Sequence, residues 1–385
     1  MNPILNSLNA QTAEERLSAL RQIIASETCK PQVLRQFANN HIHTSYSFSP
    51  YSPTAAVYFA REAGLPTAGI MDHDSIAGAF EFIEAGKIAG VATTVGLECR
   101  VSLAGTVLEN RLVNNPDQKG VAYMALHGVP HGKIEYLQNF FAPLREKRNV
   151  RNRKMVDNIN SLMSPYGIEI AFDDVLALSE FSNGGSVTER HVLFALAQKI
   201  YQVKGGTTLD FLENTMNLSL SAKQREYLSE PDSGYFLYDL LGVLKSSLVK
   251  LIYIPATDEC LHISELSALA KEIDALFCYA YLGDVGDSVT GDKATQKFED
   301  DYIEELFDLL DDFGVDAVTY MPSRNTTAQL QRVMELCESH SFMQISGEDI
   351  NSPRQKFICQ QLALPEYRHL IDATWNLIRY ESDRS

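Results

Sequence analysis

The sequence has little positive charge and no closely spaced cysteines. Its 33 lysines and arginines stand against 50 aspartates and glutamates, which gives a formal net charge of −17. Because general nucleic-acid binding depends on basic side chains that neutralise phosphates, this balance argues against such binding, although a local basic groove stays open. The six cysteines show no CxxC spacing, so we interpret them as buried free thiols rather than a zinc knot or a disulfide framework.

The chain also lacks the features of exported and membrane proteins. It has no run of about 18 apolar residues, and residues 1–20 show no basic stretch leading into an apolar one. We therefore expect a soluble, cytoplasmic protein with no membrane partner, and the sequence indicates no particular oligomeric state. A chain of 385 residues is long enough for roughly two or three domains or for one large barrel with an insertion.

A pattern of metal-ligand residues begins at His41 and His43. In a strand, their spacing of two places both imidazoles on one face, within reach of one metal ion. A helix is predicted over 54–63. The strand predicted next, over 67–71, ends in three ligand-type residues, Asp72, His73 and Asp74. This strand-helix-strand unit brings metal-capable residues to the same end of both strands.

Two further predicted strands, over 91–95 and 121–126, are followed by Glu98 and His127. In barrels of alternating strands and helices, the loops at the carboxyl ends of the strands converge on one site. We therefore expect the histidines and carboxylates at these four strand ends to lie together. The connections predicted between the strands are a helix over 75–88, capped by Ser75 or Asp74, and a hairpin over 99–112.

The pattern changes to helical periodicity from residue 134 to about 247, which indicates a helical insertion. Six of the ten residues from Arg145 to Lys154 are basic, and they form either a solvated helix face or a phosphate-facing arm. Strands are predicted again over 248–254, 275–281, 317–320 and 342–345. The chain thus divides into a helical extension (1–35), a first barrel part (36–133), the insertion (134–247) and a second barrel part with closing helices (248–385).

Successive short motifs resemble those of the PHP superfamily, named for polymerase and histidinol phosphatase domains. They are HIH at 41–43, GIMDHDSIAG at 69–78, VGLE at 95–98, ALHG at 125–128 and SGEDIN at 346–351. The chain is most similar to the free-standing phosphoesterases of the superfamily, over about 36–135 and 248–355. The resemblance implies an α/β fold, a distorted (β/α)7 TIM-like barrel of the PHP type with a helical insertion, and one to three metals at the carboxyl ends of its strands.

The resemblance also implies a set of metal ligands. Those of a first metal would be His41, His43, Glu98 and Asp349, and those of a second would be Glu98, as a bridge, and His127. His73 would belong to a third site, where it has almost no partners. Imidazole and carboxylate suit Zn²⁺, Mn²⁺ or Fe, and a bridging carboxylate lets two ions activate one water together.

Three positions depart from the family pattern. No acidic or histidine ligand follows HIH within 45–51, Tyr281 stands where a late strand usually carries histidine, and Asn351 replaces another histidine. Asp284 and Glu348 are oxygen donors on nearby loops that can compensate for these changes.

Other residues are candidates for contact with the substrate. His191, in the sequence TERHV, resembles a histidine that these phosphoesterases place near the active site from the insertion; a helix-surface histidine is the alternative. The candidates to protonate a leaving oxygen are His73, His127 and His191. Arg324 is a candidate phosphate clamp, with Lys293 and Arg354 as weaker candidates for the same role.

These features predict a metal-dependent phosphoesterase that hydrolyses a small phosphorylated metabolite, such as a nucleotide or a sugar phosphate, through metal-activated water. One alternative is a metal-dependent hydrolase of a C–N or ester bond, because two-metal sites serve both reactions. The other is a PHP-like domain with a degraded site that acts as a ligand-binding module.

Metal analysis tests the ligand count. Three ions would need more ligands than the sequence clearly offers, because the stretch after HIH has only neutral hydroxyls. We expect the first site to be the tightest, the site of His73 to stay empty, and protein dialysed without chelator to retain about one to two divalent ions per chain. Three tightly held ions, with both His73 and Asn351 as ligands, would contradict this prediction.

Overall fold

The computed structural model describes residues 3–284 and 297–385 of the chain. Its strands are β1 (Thr67–His73), β2 (Ala92–Ser102), β3 (Val121–His127), β4 (Leu261–His262), β5 (Leu276–Ala280), β6 (Ala317–Tyr320) and β7 (Met343–Ser346). The helices of its first third are α1 (Pro3–Leu8), α2 (Ala13–Ser26), α3 (Pro53–Glu62) and α4 (Ala79–Ala89). Those of the middle are α5 (Ile134–Met163), α6 (Phe172–Ala177), α7 (Glu189–Lys204), α8 (Thr208–Asp210), α9 (Ala222–Leu228) and α10 (Phe236–Ile252). The helices of the last third are α11 (Ile263–Ile273), α12 (Ile303–Asp312), α13 (Thr327–His340) and α14 (Arg368–Ser382).

The strands form one curled sheet in the order β1-β2-β3-β5-β6-β7, and the short β4 pairs with β2. β1 and β2 are parallel, as are β5, β6 and β7, whereas β3 runs antiparallel to both of its neighbours. Helices pack on the sheet, with α4 against β2 and α14 against both β2 and β7. This arrangement confirms the predicted α/β class and the distorted TIM-like barrel.

A single residue, Ile42, closes the barrel. It pairs in parallel with Ile70 of β1 on one side and with Ile350, beyond β7, on the other. The strand predicted at the HIH motif is therefore shortened to one bridged residue. The side chain of Asn39 accepts the backbone N–H of His41 at 3.0 Å, which withdraws that donor from a strand ladder.

This closure depends on a close approach of backbones. Gly347 follows β7, and a Cβ at that position would lie only 2.6 Å from the backbone nitrogen of His41. Gly69 of β1 is similarly tight, because a Cβ there would lie 2.8 Å from the Cα of Asn40. The two glycines leave room for the HIH segment between β1 and β7. Ile42 is fully buried in the hydrophobic core, and the alternation of an extended segment turns the flanking histidines to the other side.

Capping residues explain where α3 and α4 begin. α3 matches the helix predicted over 54–63, and Ser52 caps it by accepting the backbone N–H of Ala55 at 3.1 Å. α4 begins at Ala79, later than predicted, because Ser75 does not cap it. The Ser75 hydroxyl instead donates to the carbonyl of Gly184 at 2.8 Å.

The hairpin predicted over 99–112 is wrong, because β2 runs on to Ser102 and pairs with β3. The turn signal at residues 104–105 lies beyond the end of this longer strand, and the antiparallel partner comes from residues 121–127. Glu98 consequently lies inside β2 rather than after it. β3 runs antiparallel to β2, so its carboxyl end, with His127 opposite Gly96, points the other way from that of β2. The expectation that all four carboxyl ends lie together is therefore wrong for β3.

The strand predicted over 248–254 is also wrong, because α10 continues to Ile252. Buried residues recur every four positions along this helix, namely Leu240, Leu244, Leu248 and Ile252. That spacing marks one face of a helix, and a short apolar run does not by itself distinguish a helix face from a buried strand. The strands predicted over 275–281, 317–320 and 342–345 are confirmed as β5, β6 and β7.

α5 connects two hydrophobic cores. Phe141, in its first half, belongs to the core of the barrel and its surrounding helices, whereas Ile159, in its second half, belongs to a core built mainly by α7 and α10. The division of the chain at residues 133 and 247 stays a prediction. α5 is 30 residues long, yet none of the helices within residues 3–284 and 297–385 combines the length and apolar character of a membrane span.

A buried ion pair between α2 and α4 is expected to contribute strongly to stability. Glu81 accepts two hydrogen bonds from Arg16, at 2.9 and 2.6 Å, and both side chains are almost fully buried. Replacing Arg16 with Met leaves Glu81 as a buried carboxylate without its cation, so the free energy of unfolding in urea should fall by about 3 kcal/mol. The exposed pair of Arg21 and Glu84, 3.7 Å apart, supplies the control, and Arg21→Met should cost less than about 1 kcal/mol. Equal losses for both variants would contradict this account.

Candidate metal centre

Five side chains from distant parts of the chain converge at one end of the barrel. They form two overlapping groups, His41, His43 and Asp349, and His43, His73 and Glu98. Within each group, the potential ligand atoms all lie within 4.8 Å of one another. The HIH segment, the end of β1, the middle of β2 and the loop after β7 each supply part of the cluster.

One carboxylate oxygen, Oε1 of Glu98, lies at the centre of this cluster. It is 3.6 Å from Nε2 of His41, 3.3 Å from Nε2 of His43 and 3.0 Å from Nδ1 of His73. Asp349 joins from the other side, with its Oδ1 3.1 Å from Nε2 of His43. The sequence suggested that His73 has almost no partners. In the structure it contacts Glu98 and also stacks on His43, with ring centroids 4.7 Å apart.

The charges in the cluster favour the protonation states that metal ligands need. Burial by itself raises the pKa of Glu98, yet the nearby His73 and His41 outweigh it and lower that pKa to about 2. Burial likewise opposes the ionisation of Asp349, but its hydrogen bond with His43 holds the pKa well below the usual range. Burial lowers the pKa of His73 to about 3. At neutral pH both carboxylates are charged and His73 is neutral, which are the forms that coordinate metal.

The pKa of His43 is raised, in contrast to that of His73. Burial lowers it, but the hydrogen bond with Asp349 and the charges of Asp349 and Glu98 outweigh that effect. Two ionised carboxylates at one point thus attract a positive charge, and a divalent cation supplies that charge more fully than a proton does.

The residues present fit a divalent metal ion. Imidazole nitrogens and carboxylate oxygens are the ligands that Zn²⁺, Mn²⁺ and Fe accept. Nδ1 of His73 is buried and makes no hydrogen bond, because its contact with Glu98 is not aligned for one. Nε2 of His127 is likewise buried without a hydrogen-bond partner. Such buried ring nitrogens are costly unless something binds them.

Ser47 and Asp72 orient His43 from behind. Nδ1 of His43 lies 3.2 Å from the hydroxyl of Ser47, which donates to Oδ1 of Asp72 at 2.6 Å. Because the hydroxyl donates to Asp72, its oxygen accepts from Nδ1–H, and a metal ion would take the place of the Nε2 proton that Asp349 attracts. Thr44 holds Asp72 in place with its backbone N–H at 2.7 Å and its hydroxyl at 2.6 Å. Nothing in the sequence indicated this role for Ser47, which is one of the neutral hydroxyls after HIH.

The cluster opens into a cavity of about 170 Å³. The metal-ligand candidates in its lining are His41, His73, Glu98 and Asp349, and the cationic side chains in its lining are Arg100, Arg190 and Lys245. The first turn of α7 forms part of the wall through Thr188, Glu189 and Arg190. The cavity therefore brings positive groups next to the ligand cluster, although the whole chain is acidic.

His127 lies close to the cluster without joining either group. It is opposite Gly96 in the sheet, two pairs away from Glu98 and on the same face of β2. Burial, followed by the charge of His41, lowers its pKa to about 3. A second metal site that includes His127 stays a prediction.

His191 is buried and does not line the cavity. Its Nδ1 accepts the backbone N–H of Thr188 at 3.0 Å, which makes it part of the cap of α7, and its ring packs edge-on against Phe48. His191 is therefore neither a helix-surface histidine nor part of the lining of this cavity. Its neighbour Arg190 lines the cavity instead.

The oxygen donors expected to compensate for missing ligands are engaged elsewhere. Oδ1 of Asp284 accepts the backbone N–H of Phe298 at 2.6 Å, and Oε1 of Glu348 accepts the hydroxyl of Ser323 at 2.6 Å. The structure therefore does not bring Asp284 into the cluster.

The substituted positions have local partners. The hydroxyl of Tyr281 donates to Asp300 at 2.5 Å, and the amide of Asn351 donates to Oδ1 of Asp349 at 2.6 Å. Asn351 thus supports a ligand candidate rather than replacing one.

The predicted phosphate clamps lie outside this cavity. Arg324 and Arg354 line a neighbouring groove of about 510 Å³. Nε of Arg324 donates to the carbonyl of Leu282 at 3.4 Å, and Arg354 forms an ion pair with Asp239 at 2.6 Å. Lys293 lies outside the described residues.

The basic run of α5 forms a buried ionic network rather than a solvated face or a phosphate-facing arm. Arg145, Arg148 and Arg151 recur every three residues and are buried, whereas Lys147 and Lys154 are exposed. Arg145 donates to the carbonyl of Asp74 at 3.0 Å. The ion pairs of the network are Arg148 with Asp74 and Glu189, Arg151 with Glu189 and Glu259, and Arg100 with Glu189. The spacing of three was the one signal in the sequence that this face is buried.

Comparisons with known proteins agree with this geometry. The family model of the PHP domain matches residues 39–316. A 5'-3' exoribonuclease of Haemophilus influenzae is 29% identical over 159 residues, which are 41% of this chain and 49% of that protein. The match thus spans about half the length of the curated relative.

Two solved structures share the fold. One, from Bifidobacterium adolescentis and provisionally named a metal-dependent phosphoesterase, has a TM-score of 0.55 and 20% identity, over 87% of this chain and 95% of that one. The other, an amidohydrolase from Chromobacterium violaceum with bound sulfate and no metal, has a TM-score of 0.57 and 15% identity, over 87% and 96%. At these identities the likeness concerns the fold alone.

Removing the hydroxyl behind His43 should weaken metal binding. In Ser47→Ala, His43 loses the acceptor that fixes its tautomer, and losing such a support typically lowers metal affinity by about 10–100-fold. Titration with Mn²⁺ by calorimetry measures the change. Ser45→Ala is the matched control, because the hydroxyl of Ser45 lies in the same loop and has no hydrogen-bond partner. If both variants bind Mn²⁺ like the unmodified protein, Ser47 does not support His43.

Proposed function

The chain belongs to the PHP domain family, and on that premise we propose that it is a metal-dependent phosphoesterase that hydrolyses a small phosphorylated compound. The observation that carries the proposal is Oε1 of Glu98, surrounded by three imidazole nitrogens within 3.6 Å on the wall of a cavity. Carboxylate and imidazole ligands at this density suit divalent ions, and hydrolysis of phosphate esters is a reaction that such ions promote.

The proposed roles follow from the geometry of the cluster. His41, His43 and Asp349 would hold one ion, with Glu98 as a shared ligand and His73 on its other side. Ions bound there would lower the pKa of a water molecule and offset the charge that develops on the phosphoryl oxygens. Ser47 and Asp72 would keep His43 turned towards the ion.

The proton for the leaving oxygen has a different source from the one that the sequence suggested. His73 is the one of the three predicted donors that lines the cavity, and its pKa of about 3 leaves it neutral at pH 7. The position of His73 beside Glu98 suits a metal ligand better than a general acid. We therefore expect the leaving oxygen to take its proton from solvent in the cavity.

The space around the cluster suits a phosphoryl group with a larger substituent. The cavity of about 170 Å³ has room for little more than the phosphoryl group, whereas the groove of about 510 Å³ shares Arg190, Met321, Asp349 and Asn351 with it. The remainder of the substrate would lie in that groove. Cationic side chains on both walls would offset the negative charge of the substrate.

A second candidate is the removal of nucleotides from the end of a short RNA. It is favoured by the 29% identity with the exoribonuclease of Haemophilus influenzae. The same centre would then cleave a phosphodiester, and the groove would hold the following nucleotide. The formal charge of −17 argues for contacts with a few terminal phosphates rather than for general nucleic-acid binding.

Activity assays with added Mn²⁺ or Zn²⁺ test the proposal. We expect release of phosphate from p-nitrophenyl phosphate or nucleoside monophosphates. Glu98→Gln should lower kcat by at least about a hundredfold, because it removes the shared anionic ligand and with it several kcal/mol of charge stabilisation. Glu84→Gln, an exposed change on α4, is the control and should leave activity unchanged.

The choice of substrate separates the two candidates. Faster cleavage of a short 5'-phosphorylated oligoribonucleotide than of any monoester would favour the second candidate. Failure of the metal-supplied protein to hydrolyse any phosphate ester, or full activity of Glu98→Gln, would contradict both.

A further inference from the structure

Arg100 occupies a special position beside the ligand cluster. It follows Glu98 by two residues in β2, so both side chains lie on the same face of the sheet, about 7 Å apart along the strand. Arg100 is only 5% exposed, and it lines the same cavity as Glu98. A buried guanidinium next to a cluster of metal-ligand candidates requires an explanation.

The guanidinium of Arg100 has partners on two of its three nitrogens. Nε donates to the hydroxyl of Tyr123 at 3.1 Å, and Nη2 donates to Oε1 of Glu189 at 2.6 Å. Nη1 is buried and has no hydrogen-bond partner. The nearest carboxylate oxygen recorded for it, Oε1 of Glu259, is 4.0 Å away, which is beyond hydrogen-bond distance. Arg100 lines the cavity, and Nη1 has donors without an acceptor, so an anion that enters the cavity has a guanidinium donor to recruit.

The surrounding charges fix the orientation of Arg100 and leave the cavity able to accept an anion. Glu189 is shared by Arg100, Arg148 and Arg151, and Asp74 and Glu259 complete the network. The three arginines of this network carry as much formal positive charge as its three carboxylates carry negative charge.

Further positive groups face the same space. Arg190 and Lys245 add positive charge to the lining. The first turn of α7 also lines the cavity, and the positive end of the helix dipole favours a negative group there.

We propose that Arg100 binds the phosphoryl group of the substrate through Nη1, and that Glu189 and Tyr123 position it for this contact. The inference rests on the proposed function and names a residue that the sequence did not. A non-bridging phosphoryl oxygen is an acceptor of the right charge, and charge-assisted hydrogen bonds to guanidinium are strong in a buried site. Arg100 would thus perform the role that the sequence assigned to Arg324.

Binding of inorganic phosphate to the Mn²⁺-loaded protein tests this proposal by calorimetry. Arg100→Met should bind phosphate roughly 10- to 100-fold more weakly, because it loses a charged hydrogen bond in a buried site. Where the protein turns over p-nitrophenyl phosphate, KM should rise by a similar factor. Mn²⁺ content and the thermal melting temperature are measured on each variant, so that loss of metal or of fold is seen separately.

Arg151→Met is the matched control. Arg151 pairs with the same Glu189 and Glu259 and is equally buried, but it is not among the residues that line the cavity. We expect it to weaken phosphate binding much less than Arg100→Met does, since Arg151 does not line the cavity and the bond between Arg100 and Glu189 stays in place. Equal weakening in both variants would assign the effect to the network and overturn the proposal. Unchanged phosphate binding in Arg100→Met would overturn it as well.

A second variant decides the matter if Arg100→Met does not fold. Tyr123→Phe keeps the guanidinium but removes the hydroxyl that accepts from Nε, and phosphate binding should weaken by about threefold. No change in that variant would count against the positioning of Arg100. Phosphate binding is measured whether or not an ester is hydrolysed. Absent turnover with Arg100-dependent phosphate binding would therefore contradict the proposed function alone, whereas turnover with unaltered binding in Arg100→Met would contradict this inference alone.

Discussion

The contact of Glu98 with three histidines is the constraint on which the site depends. Its Oε1 lies within 3.6 Å of ring nitrogens from the HIH segment and from the end of β1. His73 is the register partner of Glu98 in β1, and the pairing of Ile42 with Ile70 places the HIH segment beside both. The pairing of Ile42 with Ile350 closes the sheet on the other side. The same bridge carries Asp349 to within 3.1 Å of His43. Closure of the barrel and assembly of the ligand cluster therefore both depend on the pairing of Ile42.

The local parts of this arrangement could be predicted from the sequence. The spacing of two in HIH, the polar residues after the strand at 67–71 and the cap of α3 depend on interactions between near neighbours. The PHP motifs added the distant partner Asp349. Of the ligand candidates that the sequence indicated, the structure groups five, namely His41, His43, His73, Glu98 and Asp349, whereas His127 and Asp284 belong to neither group.

What could not be predicted depends on contacts between distant segments. The direction of β3 is set by pairing with both β2 and β5, and a local turn signal misled the assignment of a hairpin at 99–112. The role proposed for Arg100 could not be read from the sequence, because Glu189, its partner, is 89 residues away. His191 was misjudged because the cap of α7 buries it. In each case, contacts between distant segments determine the structure, and the local sequence pattern is compatible with more than one structure.

The position of a bound metal tests the central claim most directly, namely that these side chains form a metal centre. Crystals grown with Mn²⁺ and measured at the manganese absorption edge give an anomalous map of every ordered ion. The account predicts a strong peak about 2.0–2.3 Å from Nε2 of His43 and from oxygens of Glu98 and Asp349. Manganese bound only elsewhere on the chain, with the imidazoles of His41 and His43 turned away from Glu98, would contradict it.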